Sequence, residues 1–126
     1  MSTRKLLIIV VVVLAWAAWA TAGEIHQAIR DGNLELVSQL VQEDRSLVSA
    51  PDENQTRDLP LHTAAISGDV AIAELLIKAG ATVDGGDVDD STPLDVAAMR
   101  GQMAMVELLI AAGADVNHHD NNGAYY

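Results

Sequence analysis

His118-His119-Asp120 carries the residue types of a metal site. Adjacent histidines point in different directions on most backbones, and a zinc site needs three or four converging ligands. The expected role is that of solvated turn residues, with no metal held. A second stretch, Asp84-Gly85-Gly86-Asp87-Val88-Asp89-Asp90, offers the carboxylates that calcium favours. It lacks the glycine at the sixth position and the glutamate at the twelfth that order a calcium loop. His26 and His62 are the other candidate bases, and no serine has a histidine and an acid in a recognisable arrangement. No nucleophile elbow, phosphate loop or paired-histidine zinc motif is present. Without cysteine there is neither thiolate chemistry nor a disulfide. These residues predict a protein that is not an enzyme and uses no cofactor.

The wider composition narrows the partners. The 126 residues include 18 acidic and 7 basic side chains, for a formal charge of −11. That length suits one domain. The charge excludes a phosphate backbone, which needs a basic footprint. Trp16, Trp19, Tyr125 and Tyr126 are the only aromatics. The chain between them therefore has no platform for stacking bases and no cage for a quaternary ammonium group. No small-molecule substrate is indicated. An acidic surface favours a partner protein with a basic face, or is simply solvated.

Arg4 and Lys5 precede an unbroken apolar run from Leu6 to Ala20, followed by Thr21-Ala22-Gly23. A basic start, a short apolar stretch and small residues at an A-x-A-like site describe a secretory signal peptide over residues 1–22. Cleavage is expected after Ala22, with Ala20 as the alternative. An uncleaved membrane anchor is the competing reading, since a span needs about 17–25 apolar residues. In either case the basic end stays inside. The rest of the chain is then expected outside the cytoplasm, periplasmic or secreted, and bound to a membrane only if the segment is retained.

Residues 54–86 and 87–119 superpose without a gap at a period of 33. Pro60-Leu61 falls on Pro93-Leu94, Glu74-Leu75-Leu76-Ile77 on Glu107-Leu108-Leu109-Ile110, and Ala79-Gly80-Ala81 on Ala112-Gly113-Ala114. A looser copy over 24–53 matches Ile25-His26-Gln27-Ala28 to Leu61-His62-Thr63-Ala64 at an offset of 36. Each unit reads as two short antiparallel helices. Pro93 suits a first helical position, where its missing N–H leaves no bond unmade. Gly101 ends the first helix. Met105, Val106, Leu108 and Leu109 give the second helix its apolar side, and Gly113 stops it in a left-handed cap. Helices of this length cannot bury their apolar stripes alone, so about three stacked units are the minimum.

The motifs Leu61-His62-Thr63-Ala64-Ala65, Thr92-Pro93-Leu94-Asp95-Val96-Ala97-Ala98 and Ala112-Gly113-Ala114-Asp115-Val116-Asn117 resemble the ankyrin repeat family over residues 24–119. With its leader segment, the chain is similar to small secreted or periplasmic ankyrin proteins of bacterial type. The resemblance implies an all-α solenoid of about three repeats (24–53, 54–86 and 87–119) with short β-hairpin fingers. Residues 120–126 would begin a partial fourth finger. It also implies non-catalytic recognition of another protein through the fingertips and the concave face of the first helices. By family position, the contact residues would be Arg30 and Asp31 in repeat one. Repeat two would offer Gln55, Thr56, Asp58, Ile66 and Ser67, and repeat three Val88, Asp89, Ser91, Met99 and Arg100.

Three departures from the family pattern stand out. Its threonine and histidine tie neighbouring repeats together, but Leu59 replaces the threonine in repeat two and Asp95 the histidine in repeat three. Half-complete ladders predict a soft stack. The first finger, Asp52 to Leu59, is two residues longer than usual, with Gln55 where the turn glycine belongs. Ile110 and Ala111 leave the last repeat apolar on its outer side, where a terminal repeat normally turns polar. The alternative function is therefore a membrane-tethered or self-associating scaffold.

Overall fold

The computed structural model describes residues 21–118. Among these, six α-helices and one 3-10 turn follow one another, with no strand. Repeat one holds α1 (Thr21–Arg30) and α2 (Leu34–Glu43), followed by the 3-10 turn Arg45–Ser49. Repeat two holds α3 (Pro60–Ser67) and α4 (Val70–Lys78). Repeat three holds α5 (Pro93–Met99) and α6 (Met103–Ala111). The first helices α1, α3 and α5 pack in one row, and the second helices α2, α4 and α6 in another.

Local chemistry sets most of the boundaries. The Asn33 side chain accepts the Leu36 N–H at 3.1 Å to start α2, and Asp69 accepts the Ile72 N–H at 3.1 Å to start α4. Pro60 and Pro93 open α3 and α5. Gly68 ends α3 with φ at 74°, a left-handed value that costs other residues strain. Two of the three residues by which the first offset, 36, exceeds the second, 33, lie in the first finger, which closes from Asp52 to Asp58 where the second closes from Asp87 to Ser91; ahead of it lies the 3-10 turn. Between α2 and α3 this turn inserts Leu47 and Val48 into the core, where the segment between α4 and α5 contributes the smaller Ala81 and a half-buried Val83.

The core runs the length of the stack. Ile25, Ile29, Val37, Leu61, Ile72, Leu76, Met105 and Leu109 are fully buried, from the first repeat to the last. Ala64, Ala65 and Ala97 let the first helices approach closely. No buried side-chain polar atom among the described residues lacks a hydrogen-bond partner.

The fingers are hydrogen-bonded turns, which corrects the expectation of strand pairs. In the first, the Asp52 N–H donates to the Asp58 carbonyl at 2.8 Å. In the second, the Asp87 N–H donates to the Ser91 carbonyl at 3.1 Å. One closing bond per finger does not extend into a ladder. The signal segment 1–22 lies outside the described residues except for Thr21 and Ala22, which sit in α1. Residues 119–126, with His119, Asp120 and the partial fourth finger, lie outside them as well. No described helix is long and apolar enough to cross a membrane.

Candidate recognition surface

Buried side chains tie the repeats together and hold the fingers. His26, midway along α1, is fully buried. Its Nε2–H donates to the Ala50 carbonyl at 2.8 Å, since a carbonyl can only accept. Its Nδ1 then accepts the Thr63 hydroxyl at 2.6 Å, joining repeat one to repeat two. Repeat two is linked to repeat three through the other ring nitrogen. His62 Nε2–H donates to the Ser91 carbonyl at 2.6 Å, while Nδ1 accepts the Leu59 N–H at 3.1 Å. His62 thus occupies the backbone donor that Leu59, with no side-chain acceptor, leaves open at its own helix start.

Asp95 keeps one of the two jobs of its counterpart His62, accepting the backbone N–H at its own helix start. Its Oδ2 accepts the Thr92 N–H at 2.8 Å, while the Thr92 hydroxyl accepts the Asp95 N–H at 3.2 Å. This reciprocal capping box completes the start of α5. The link onward comes from His118, whose Nε2 donates to the Asp90 carbonyl at 2.7 Å and lies 3.5 Å from Asp95 Oδ2. The ladder expected to be half complete is thus closed at both gaps by neighbouring groups. His118 is correspondingly a half-buried bridge, which corrects its reading as a solvated turn residue. Among the described residues no three metal-ligating side chains gather.

The two histidines titrate in opposite senses. Burial pushes His26 below its ordinary 6.5, against the pull of the Ala50 carbonyl and Asp52. The unfolded chain therefore takes that proton more readily, and the stability from neutral His26 is lost as pH falls below 6.5. The Asp90 carbonyl raises His118, with the Asp95, Asp90 and Asp115 carboxylates adding to it against slight burial. Its contribution is full below 6.5 and is lost as pH rises through the elevated value. Stability is expected to peak between the two. His118→Gln should flatten the alkaline limb of a melting-temperature profile taken from about pH 5 to 9 and leave the acid limb in place. An alkaline limb unchanged in the variant would remove His118 from this role.

A second lock ties Arg30 at the end of α1 to Asp52 at the root of the first finger. Partial burial pushes Asp52 up, but the Arg30 hydrogen bond and the charges of His26 and Arg30 outweigh it and hold the carboxyl below its ordinary value. Arg30 is therefore committed inside the chain, although part of its side chain remains exposed. Asp31 is exposed and accepts a bond from Gln27 at 2.9 Å.

The first finger differs from expectation at its turn. Arg57, at φ 53°, takes the left-handed position, two residues beyond Gln55. Its N–H donates to the Asn54 side chain at 2.7 Å, an Asx-type contact that supports the turn without glycine. Asp58 is a correction: it is buried, and its carboxylate accepts the Thr56 hydroxyl at 2.9 Å inside the finger. Ser91 is a second correction, buried at the root of the second finger beside the carbonyl that His62 grips. Both belong to the frame that shapes the fingers.

The remaining expected contact residues face outward. Gln55, Thr56, Ser67, Asp89 and Arg100 are exposed, and Ile66 is half-buried. Val88 and Met99 are 51% and 65% exposed. The fingers are coupled, because the Val88 N–H donates to the Thr56 carbonyl at 3.0 Å. Asp87 shapes the second tip, its Oδ1 accepting the Asp89 and Ser91 N–H groups at 2.9 and 3.0 Å. Between the fingers lies an open cleft of about 260 Å³ lined by Pro51, Arg57, Leu59, Gly86, Asp87 and Val88. Sequence reasoning missed Arg57 and Leu59 in it. Leu59 was legible only as a missing threonine, yet its methyl packs on Gly85, where a Cβ would push it aside.

This geometry of stacked helix pairs with bonded fingers agrees with a family model of ankyrin repeats, matched in three copies over residues 25–120. The chain belongs to the ankyrin repeat family. Members of this family generally mediate protein–protein interaction and are not generally catalytic. Among curated proteins, a putative ankyrin repeat protein of fowlpox virus (strain NVSL), FPV018, is 30% identical over 63 residues. That stretch covers 50% of this chain and 9% of the viral protein, so the likeness is one of repeats.

Proposed function

We propose that this ankyrin stack acts outside the cytoplasm and binds a partner protein with a basic patch, through its fingertips and the adjoining first-helix face. The observation that carries the reading is Val88, held half-exposed at a finger tip by the Asp87 turn and by its bond to Thr56. Asp84, Asp89, Asp90 and Asp115 are exposed around the fingers, so an apolar contact is bordered by carboxylates. An apolar centre with a charged rim is the arrangement of a protein interface. The location outside the cytoplasm rests on Arg4, Lys5 and the apolar run that follows.

The test is a cross-linking pull-down from the native extracytoplasmic fraction, with wild type beside a Val88, Met99 and Arg100 triple alanine variant. Wild type is expected to capture a basic protein, and the variant to recover at least tenfold less. The same capture should weaken in high salt as the charges are screened. Equal capture by both chains would move the site off this face. A protein found entirely in the cytoplasm would overturn the location.

A further inference from the structure

His26 and Arg30 stand one helical turn apart on α1, and both face a single carboxylate oxygen, Oδ2 of Asp52. Arg30 holds that oxygen, while His26 Nδ1 lies 3.9 Å from it. The other oxygen, Oδ1, accepts the Glu53 N–H at 2.8 Å. His26 and Asp52 are buried, whereas 42% of the Arg30 side chain is exposed. Of the two side chains that can offer Asp52 a positive charge, only Arg30 can leave for water.

In neutral His26, Nδ1 accepts the Thr63 hydroxyl and offers Asp52 no proton. A proton taken up there makes Nδ1 a donor and the ring a cation. Thr63 Oγ1 can accept that proton, because its own hydroxyl hydrogen can turn to the Leu59 carbonyl 3.5 Å away. The ring therefore keeps its place, and what changes is its charge. Three charged groups act on it: Arg30 on its own helix, and Asp52 and Asp58 in the first finger. Asp58 is engaged by Thr56 inside the finger. The other elements packed on α1 turn their charges outward, with Glu35, Glu43 and Asp44 around α2 and Arg45 in the 3-10 turn all exposed. On α3, His62 is held by Leu59 and Ser91. Asp52 is thus the counter-ion within reach of the ring. We propose that proton uptake at His26 commits Asp52 to the imidazolium and unlocks Arg30 from the root of the first finger. The lock is closed above the pH at which His26 titrates and opens below it. An unlocked guanidinium beside the finger adds positive charge to the face proposed for a basic partner, so acid weakens binding. That consequence rests on the proposed partner, and the lock does not.

Two measurements on the full-length chain test the lock without any partner. Arg30→Gln should lower the melting midpoint by about 2–6 °C at pH 7.5 and by less than half as much at pH 5. Asp52, held below its ordinary value, stays ionised between these limits, so its own titration cannot mimic the change. An equal cost at both pH values would overturn the proposal, because an ion pair independent of His26 behaves that way. Coupling is reciprocal, so the His26 ring in Arg30→Gln should bind its proton about fivefold more tightly than in wild type, read from a nuclear magnetic resonance titration. An unchanged titration would overturn the proposal equally. Capture of the basic partner by wild type should fall at least tenfold from pH 7.5 to pH 5, and less in Arg30→Gln. Equal capture by wild type at both values would overturn the role in binding. Capture at neither would sink the proposed partner and leave the lock to stand or fall on the first two results.

Discussion

Leu76→Ala is expected to lower the unfolding free energy by about 2–5 kcal/mol, the largest loss from any single truncation in the stack. Leu76 is fully buried on α4, the middle of the three second helices, and α4 packs on both α2 and α6. Truncation removes the transfer energy of the lost carbons. It also leaves a cavity that two neighbouring repeats would have to collapse together. Repeat proteins hold by nearest-neighbour interfaces, and three units are close to the minimum. A defect at the centre should therefore lower the whole transition. Urea denaturation followed by circular dichroism would show the midpoint falling by about 1–3 M at a typical slope for this size. A shift below about 0.3 M would mean that α4 is not the centre of cooperativity.

The second large effect is expected at His62→Leu. The substitution keeps apolar volume but deletes both ring nitrogens. The Leu59 N–H then loses its partner, and the Ser91 carbonyl keeps only the Asp87 N–H, at the junction of repeats two and three. An unmade buried N–H costs about 1–3 kcal/mol and the lost second bond to the carbonyl about 0.5–1.5 kcal/mol, so a loss of about 2–4 kcal/mol is expected in all. Because the Ser91 carbonyl roots the second finger, Val88 and Asp89 should also move. Amide hydrogen exchange is the discriminating measurement. Faster exchange should spread from Leu59 into the 87–91 turn and spare α1. Exchange confined to α3 would show that the histidine serves only its own helix start.

Much of the architecture is local and so lies open in the residue string. The period of 33, the prolines at the first helical positions, and the caps at Asn33, Asp69 and Thr92 each act over a few neighbouring residues. The apolar side of α6 was legible for the same reason, with Met105 and Leu109 fully buried. The candidate surface was less so. Val88, Met99 and Arg100 emerge exposed as family position implied, but Asp58 and Ser91 turned inward. A polar residue in a turn looks alike in sequence whether it faces water or grips the turn from within.

The sequence by itself therefore determined the helix pairs, their number and the apolar face left on the last repeat, because propensity, capping and periodicity are short-range. Only the tertiary structure decided how the repeats are bolted together. His26 meets Thr63, Arg30 meets Asp52 and His118 meets Asp90 across 37, 22 and 28 positions. Only the packed fold brings such partners within hydrogen-bond reach, the first pair across two repeats and the other two from end to end of a single repeat. The left-handed turn at Arg57 also emerged only in the structure, held by Asn54 within the longer first finger.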